Sequence, residues 1–197
     1  MSENCSDRPS RYRIRPLREI AALIPLILMG LAFCYMAVTW NDPRPLSIPN
    51  MIEAEDLPVA ATNGIAGASS QSTKEWAVNR WTGNSHLFVM TSAEDASIDF
   101  KLPRYEPGQY LVSGYFTRAG DYGVVQVFVD GRKTGPKIDL PTPRGIEPTG
   151  EIRLGVVSLQ GEEDTLRVAL VGHSVADTIV HHNFGIEGFR IDPITVE

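Results

Sequence analysis

A chain of 197 residues, 43% hydrophobic and 21% charged, has room for one full domain and an appendage. Its net charge of −6 argues against nucleic acid as a partner, because an acidic surface repels phosphates. The only cysteines are Cys5 and Cys34, so no disulfide can staple residues 41–197, and that part must be held by its own core.

Residues 1–19 form an Arg-rich tail in which Arg8, Arg11, Arg13, Arg15 and Arg18 outweigh Glu3, Asp7 and Glu19, a net of +2. Residues 20–40 then carry no charged side chain, the length at which an apolar helix crosses a bilayer. Everything after that run sums to −8. A basic flank before a span predicts a single-pass protein of the cell (inner) membrane, with a cytoplasmic N-terminus and an extracytoplasmic, periplasmic domain. The run is longer than the apolar region of a secretory signal, and Phe33 stands before Cys34 where a lipoprotein box needs a small residue, so an uncleaved anchor is expected. Residues 41–50 contain Pro43, Pro45 and Pro49 and read as a stiff, extended spacer.

From residue 51 to 197 the pattern is strand after strand. Ile98, Phe100 and Leu102 alternate with Asp99 and Lys101; Val125, Val127 and Val129 alternate with Gln126 and Phe128; Leu166, Val168 and Leu170 repeat the period. Asp130-Gly131 supplies a hairpin turn. Gln109–Thr117, Glu151–Ser158 and Gly185–Val196 are further strands, rich in β-branched and aromatic residues. The Gly, Ala and Ser of Asn63–Thr73 read as a mobile loop. The fold class expected is therefore all-β, an antiparallel β-sandwich (jelly roll) preceded by one transmembrane α-helix.

Several phrases then fall in a familiar order. Ile52-Glu53-Ala54-Glu55-Asp56 resembles the first strand of family 6 and family 35 carbohydrate-binding modules. Trp81-Thr82-Gly83-Asn84-Ser85-His86-Leu87-Phe88, Pro107-Gly108-Gln109-Tyr110, Asp121-Tyr122-Gly123 and Val129-Asp130-Gly131 are similar to later segments of such galactose-binding-like domains. Ile152-Arg153-Leu154-Gly155 and Gly185-Ile186-Glu187-Gly188-Phe189-Arg190-Ile191-Asp192 complete the series. The resemblance covers residues 51–197 and implies a structural calcium where the first and last strands meet, held here by Glu53, Glu55 and Asp192. It also implies a glycan site built from aromatic faces and amides, for which Trp76, Trp81, Asn84, His86, Tyr122 and Asn183 are the candidates.

The residues offer no catalytic set. His181 and His182 would point to opposite faces of a strand, His173 stands apart, and no HxxxH, CxxC or GxSxG spacing occurs. A glycosidase would need two carboxyls facing each other across a cleft. No enzyme and no organic cofactor are expected. Two readings remain. One is a non-catalytic, membrane-anchored protein whose domain recognises polysaccharide. The other is a structural subunit of a respiratory, transport or photosynthetic membrane complex, whose helix packs through Ala21, Ala22, Gly30, Ala32 and Ala37.

Overall fold

The computed structural model describes Met29 and residues 46–76, 80–161, 163–172 and 183–194. The chain divides into two compact units, Met1–Pro43 and Arg44–Glu197. The expected Ile20–Trp40 span lies outside the described residues apart from Met29, as do the Arg-rich tail and residues 41–45. No described helix is long and apolar enough to cross a membrane.

Among its described residues the second unit has eleven strands. They are β1 (Met51–Glu53), β2 (Val59–Asn63), β3 (Ile65–Ser72), β4 (Ser85–Thr91), β5 (Ser97–Lys101) and β6 (Gly108–Arg118). After these come β7 (Val124–Val129), β8 (Arg132–Asp139), β9 (Glu147–Leu159), β10 (Thr165–Gly172) and β11 (Phe184–Pro193). One sheet runs β3-β4-β11-β6-β9, with β1 added to β11; the other runs β2-β5-β10-β7-β8. Every pairing between these strands is antiparallel.

The alternation read from the sequence becomes rows of side chains. Phe100, Leu166 and Val129 stand side by side across β5, β10 and β7, and Ile98, Val168 and Val127 form the next row. All six are buried. The facing sheet supplies Val112 and Phe116 from β6 and Ile186, Phe189 and Ile191 from β11. Phe189 is the junction, its ring centroid 6.4 Å from Phe100 across the sandwich and 6.0 Å from Phe116 beside it. Asp130 and Gly131 both take positive φ, 47° and 72°, as a two-residue hairpin turn requires. The Asp130 carboxylate accepts the backbone N–H of Thr165 at 2.7 Å, which ties this turn to β10.

One expectation is corrected. Asn63–Thr73 is not a loop: β3 occupies most of it, because β4 offers a full ladder and Ala68 to Ser72 pair in regular register with Val89 to Ser85. Low strand propensity yields here to tertiary pairing. At the end of residues 41–50, Leu46 bridges Thr82 and the Met51 amide donates to the Ile48 carbonyl. Gln126, on the face of β7 opposite Val125 and Val127, is buried as well, because β8 folds over it and takes its Nε2–H groups on the Thr134 and Gly135 carbonyls at 3.0 and 3.2 Å.

Candidate functional site

Two groups of side chains gather around β4, one polar and aromatic, one acidic. His86, Phe88 and Met90 lie on the outer face of this strand while Leu87 and Val89 enter the core, as a period of two demands. Across β3 the register sets Gln71 beside His86 and Ser69 beside Phe88.

At the first end of the row, Trp76, Trp81 and His86 pack edge to face, with Trp76 5.9 Å from Trp81 and 5.4 Å from His86. Trp81 and His86 are fully buried; Trp76 is half-buried and covers them. The hydrogen bonds run in one direction. Trp81 Nε1–H can only donate, and it does so to Thr117 Oγ1 at 3.0 Å. The Thr117 hydroxyl then donates to His86 Nδ1 at 2.7 Å, and His86 Nε2–H donates to Gln71 Oε1 at 3.0 Å. The imidazole is thus a neutral Nε2–H tautomer, and burial holds its pKa down at about 4. Gly185 of β11 lies beneath it. A Cβ there would stand 2.7 Å from His86 Nδ1 and 3.0 Å from Thr117 Cβ. Gly185→Ala is expected to cost about 1–3 kcal/mol by overpacking, read as a lower melting temperature. Asn84 serves the turn: it is buried with φ 55°, and its carbonyl accepts the Thr73 amide at 2.9 Å.

At the other end, Phe88 stacks on Tyr122 with centroids 6.2 Å apart and planes 28° from parallel. Tyr122 is buried, and desolvation raises its phenol pKa. Asn183 precedes β11 and bridges Tyr122 through the backbone. Its Nδ2 donates to Asp121 Oδ2 at 2.9 Å, and its Oδ1 accepts the Thr91 amide at 3.3 Å. Of the six glycan candidates, then, Trp81, Asn84, His86 and Tyr122 are interior, while Trp76 and Asn183 reach the surface. Phe88, half-buried between the two groups, was missed from sequence because hydrophobic residues on both faces of β4 hide its alternation. His173, His181 and His182 lie outside the described residues.

The acidic group forms where β1 joins β11. Glu53 Oε2 accepts the Thr82 hydroxyl at 2.8 Å, and Glu187 Oε1 accepts the Thr82 amide at 2.7 Å. Glu55 accepts the Ser85 hydroxyl through Oε1, and its Oε2 is buried with no partner among the described residues. Burial raises the Glu53 pKa, helped by the charges of Glu55 and Asp56. Glu187 is pushed up to about 7 by burial, with Glu53 and Glu55 adding to it. Asp192 is not brought to this place. The register pairs Glu53 with Gly188, so Asp192 stands four residues further along β11, about 13 Å away at strand rise. There it accepts Arg190 Nε at 2.7 Å and Asn50 Nδ2 at 3.4 Å. Glu187 takes the position that the sequence reading gave to Asp192. The adjacent Gly188 was the usable signal: only a residue without Cβ lets β1 lie against β11 there.

The donors suit calcium, which takes hard oxygens, and one buried oxygen has no partner among the described residues. As placed, the carboxylates bond hydroxyls, and no described group of three or more acidic, His or Cys side chains is arranged as a cage.

No protein-family model and no curated protein matches the chain. Among solved structures it is similar to a Paenibacillus xanthan lyase, with a TM-score of 0.59 and 22% identity over 78% of this chain and 14% of that one. It is also similar to a family 35 carbohydrate-binding module from Clostridium thermocellum, with a TM-score of 0.43 and 13% identity over 75% of this chain and 100% of that one. The C-terminal family 6 module of a marine laminarinase from Zobellia galactanivorans gives 0.43 and 14%, over 72% of this chain and 97% of that one. The chain spans only a small part of the lyase, and at 22% identity the likeness is one of fold: a two-sheet antiparallel β-sandwich.

Proposed function

We propose that this protein is a non-catalytic glycan-binding protein, held at a membrane by Ile20–Trp40 with its β-sandwich on the periplasmic side. One observation carries the glycan reading. The half-buried rings of Trp76 and Phe88 lie along one sheet face, with Gln71 and Ser69 on one flank and Asn183 and Asp121 near Phe88. An aromatic face suits the C–H face of a pyranose ring, and amide and carboxylate groups beside it can pair with hydroxyls. The rings are held from behind by His86 and Tyr122, so little ordering entropy is lost on binding.

The buried Thr117–His86 pair has a nucleophile–base spacing, yet both residues are 0% exposed, so substrate has no approach to it. Two further acids are held by arginines, Asp99 by Arg167 and Glu151 by Arg190. Glu53, Glu55 and Glu187 are the residues that would hold calcium, which would neutralise their charge and tie β1 to β11. The basic tail and the charge-free run after it support the anchor.

The test is a glycan array probed with the full chain in mild detergent, followed by titration of whatever is retained. Trp76→Ala and Phe88→Ala are each expected to weaken binding about tenfold, the worth of one stacked ring. An array on which nothing is retained, or affinity indifferent to both substitutions, would overturn the reading.

A further inference from the structure

The sandwich has two open sides, and they are built differently. On one side the edge strands are β8 and β9. β8 carries Arg132, Lys133, Pro136 and Lys137; β9 carries Glu147, Pro148, Glu151 and Arg153, with two register shifts against β6. Charges, prolines and bulges are the devices that keep a strand edge from pairing with another chain. The two strands also close on each other, since a Cβ at Gly135 of β8 would stand 2.8 Å from Leu154 Cα of β9.

The other side has β2 and β3, and there the charges and prolines are missing. Residues 57–73 contain no charged side chain, in a chain of which 21% is charged, and neither strand contains proline. β2 is exposed throughout and short, with a register shift against β5. β3 is longer, pairs among the described residues only with β4, and beyond Gly67 runs to Ser72 without a bulge. Ala68 to Ser72 are all exposed. Among the described residues, the row of backbone N–H and C=O groups along the outer side of residues 67–72 is therefore an unblocked template for another strand.

We propose that the occupant is a second copy of this chain, its β3 pairing antiparallel with the first across a two-fold axis so that the six-stranded sheet continues from one protomer into the next. The charge pattern favours a copy over a foreign strand. The protein is acidic, and a foreign partner would be attracted by leaving acidic groups at the edge. A two-fold antiparallel contact sets this segment against the same segment of the other copy, residue i facing residue j and j facing i, so a segment with charges of one sign would repel itself; the uncharged run avoids that repulsion. Six residues of ladder make a small contact, so the association is weak and concentration-dependent.

Sedimentation equilibrium of the full chain in mild detergent, over rising protein concentration, is expected to show a monomer–dimer equilibrium. Ser70→Lys, an exposed change near the centre of the ladder, should raise the dissociation constant about tenfold or more while leaving the melting temperature of the monomer unchanged. Val156→Lys, on the opposite edge, should leave the dimer intact. Independently of any variant, amide exchange at residues 67–72 should slow as the parent protein is concentrated. A monomer at every concentration, a dimer indifferent to Ser70→Lys, or fast exchange throughout would overturn the proposal.

Discussion

Between pH 7 and pH 4 the protein is expected to lose about 3 kcal/mol of folding stability through one side chain, His86. In the unfolded chain an imidazole takes its proton near pH 6.5, whereas burial delays that step to about pH 4 in the fold. Across this window the unfolded state binds more protons, so stability falls as pH falls, and the loss is complete below pH 4. The geometry explains why protonation is resisted. The ring is fully buried beside the Trp76 and Trp81 indoles, and a proton added at Nδ1 would place a positive charge there out of reach of solvent. Glu187 works in the opposite sense. Its carboxyl, raised to about 7, takes up a proton on folding between about pH 4.5 and 7 and adds stability as pH falls. The measurement is therefore a comparison of parent and His86→Gln by denaturant unfolding at several pH values. Glutamine keeps a donor and an acceptor and does not titrate. Its disadvantage at pH 7 should shrink by about 3 kcal/mol at pH 4. A difference constant with pH would remove His86 as the cause.

How much of this could be read from the residues depends on whether the signal was local. The alternation of Ile98, Phe100, Leu166 and Val168 needs no knowledge of neighbours, because a period of two and an apolar face already specify a half-buried strand. Asp130-Gly131 was equally legible, since few dipeptides take two successive positive φ values. β3 was not legible. Gly67, Ala68 and Ser69 carry no strand preference, and their conformation comes from Val89 and its neighbours on β4. The site divided along the same line. Trp76, Trp81 and His86 do come together, but sequence cannot say which of three aromatic rings is interior. Exposure is decided by Thr117, thirty-one residues beyond His86, which fixes Trp81 and His86 inward. That Glu187 rather than Asp192 stands beside Glu53 was hidden for a related reason. Both acids lie in the closing strand, and only the register of β1 on β11, set by Gly188, decides which one meets Glu53.

Calcium should change the sign of a substitution. With a chelator present, the charges of Glu53, Glu55 and Glu187 lie close together, and burial makes those of Glu53 and Glu187 more costly. Above pH 7, where the Glu187 carboxyl is ionised, Glu187→Gln removes one charge and keeps an oxygen for the Thr82 amide, so without divalent cation the variant should melt higher than the parent. With calcium added to about a hundred times its dissociation constant, the parent should gain about 2.7 kcal/mol and the variant much less. The order of melting temperatures then reverses. Asp192→Asn separates this cluster from the alternative ligand. Its carboxylate is held by Arg190 and lies about 13 Å along β11 from the Glu53 partner, so its loss should leave the calcium response intact. Thermal melts of the three proteins with chelator and with calcium decide the matter. A parent that melts at the same temperature in both would end the metal reading. A response abolished by Asp192→Asn and kept by Glu187→Gln would return the ligand role to the residue that the geometry sets aside.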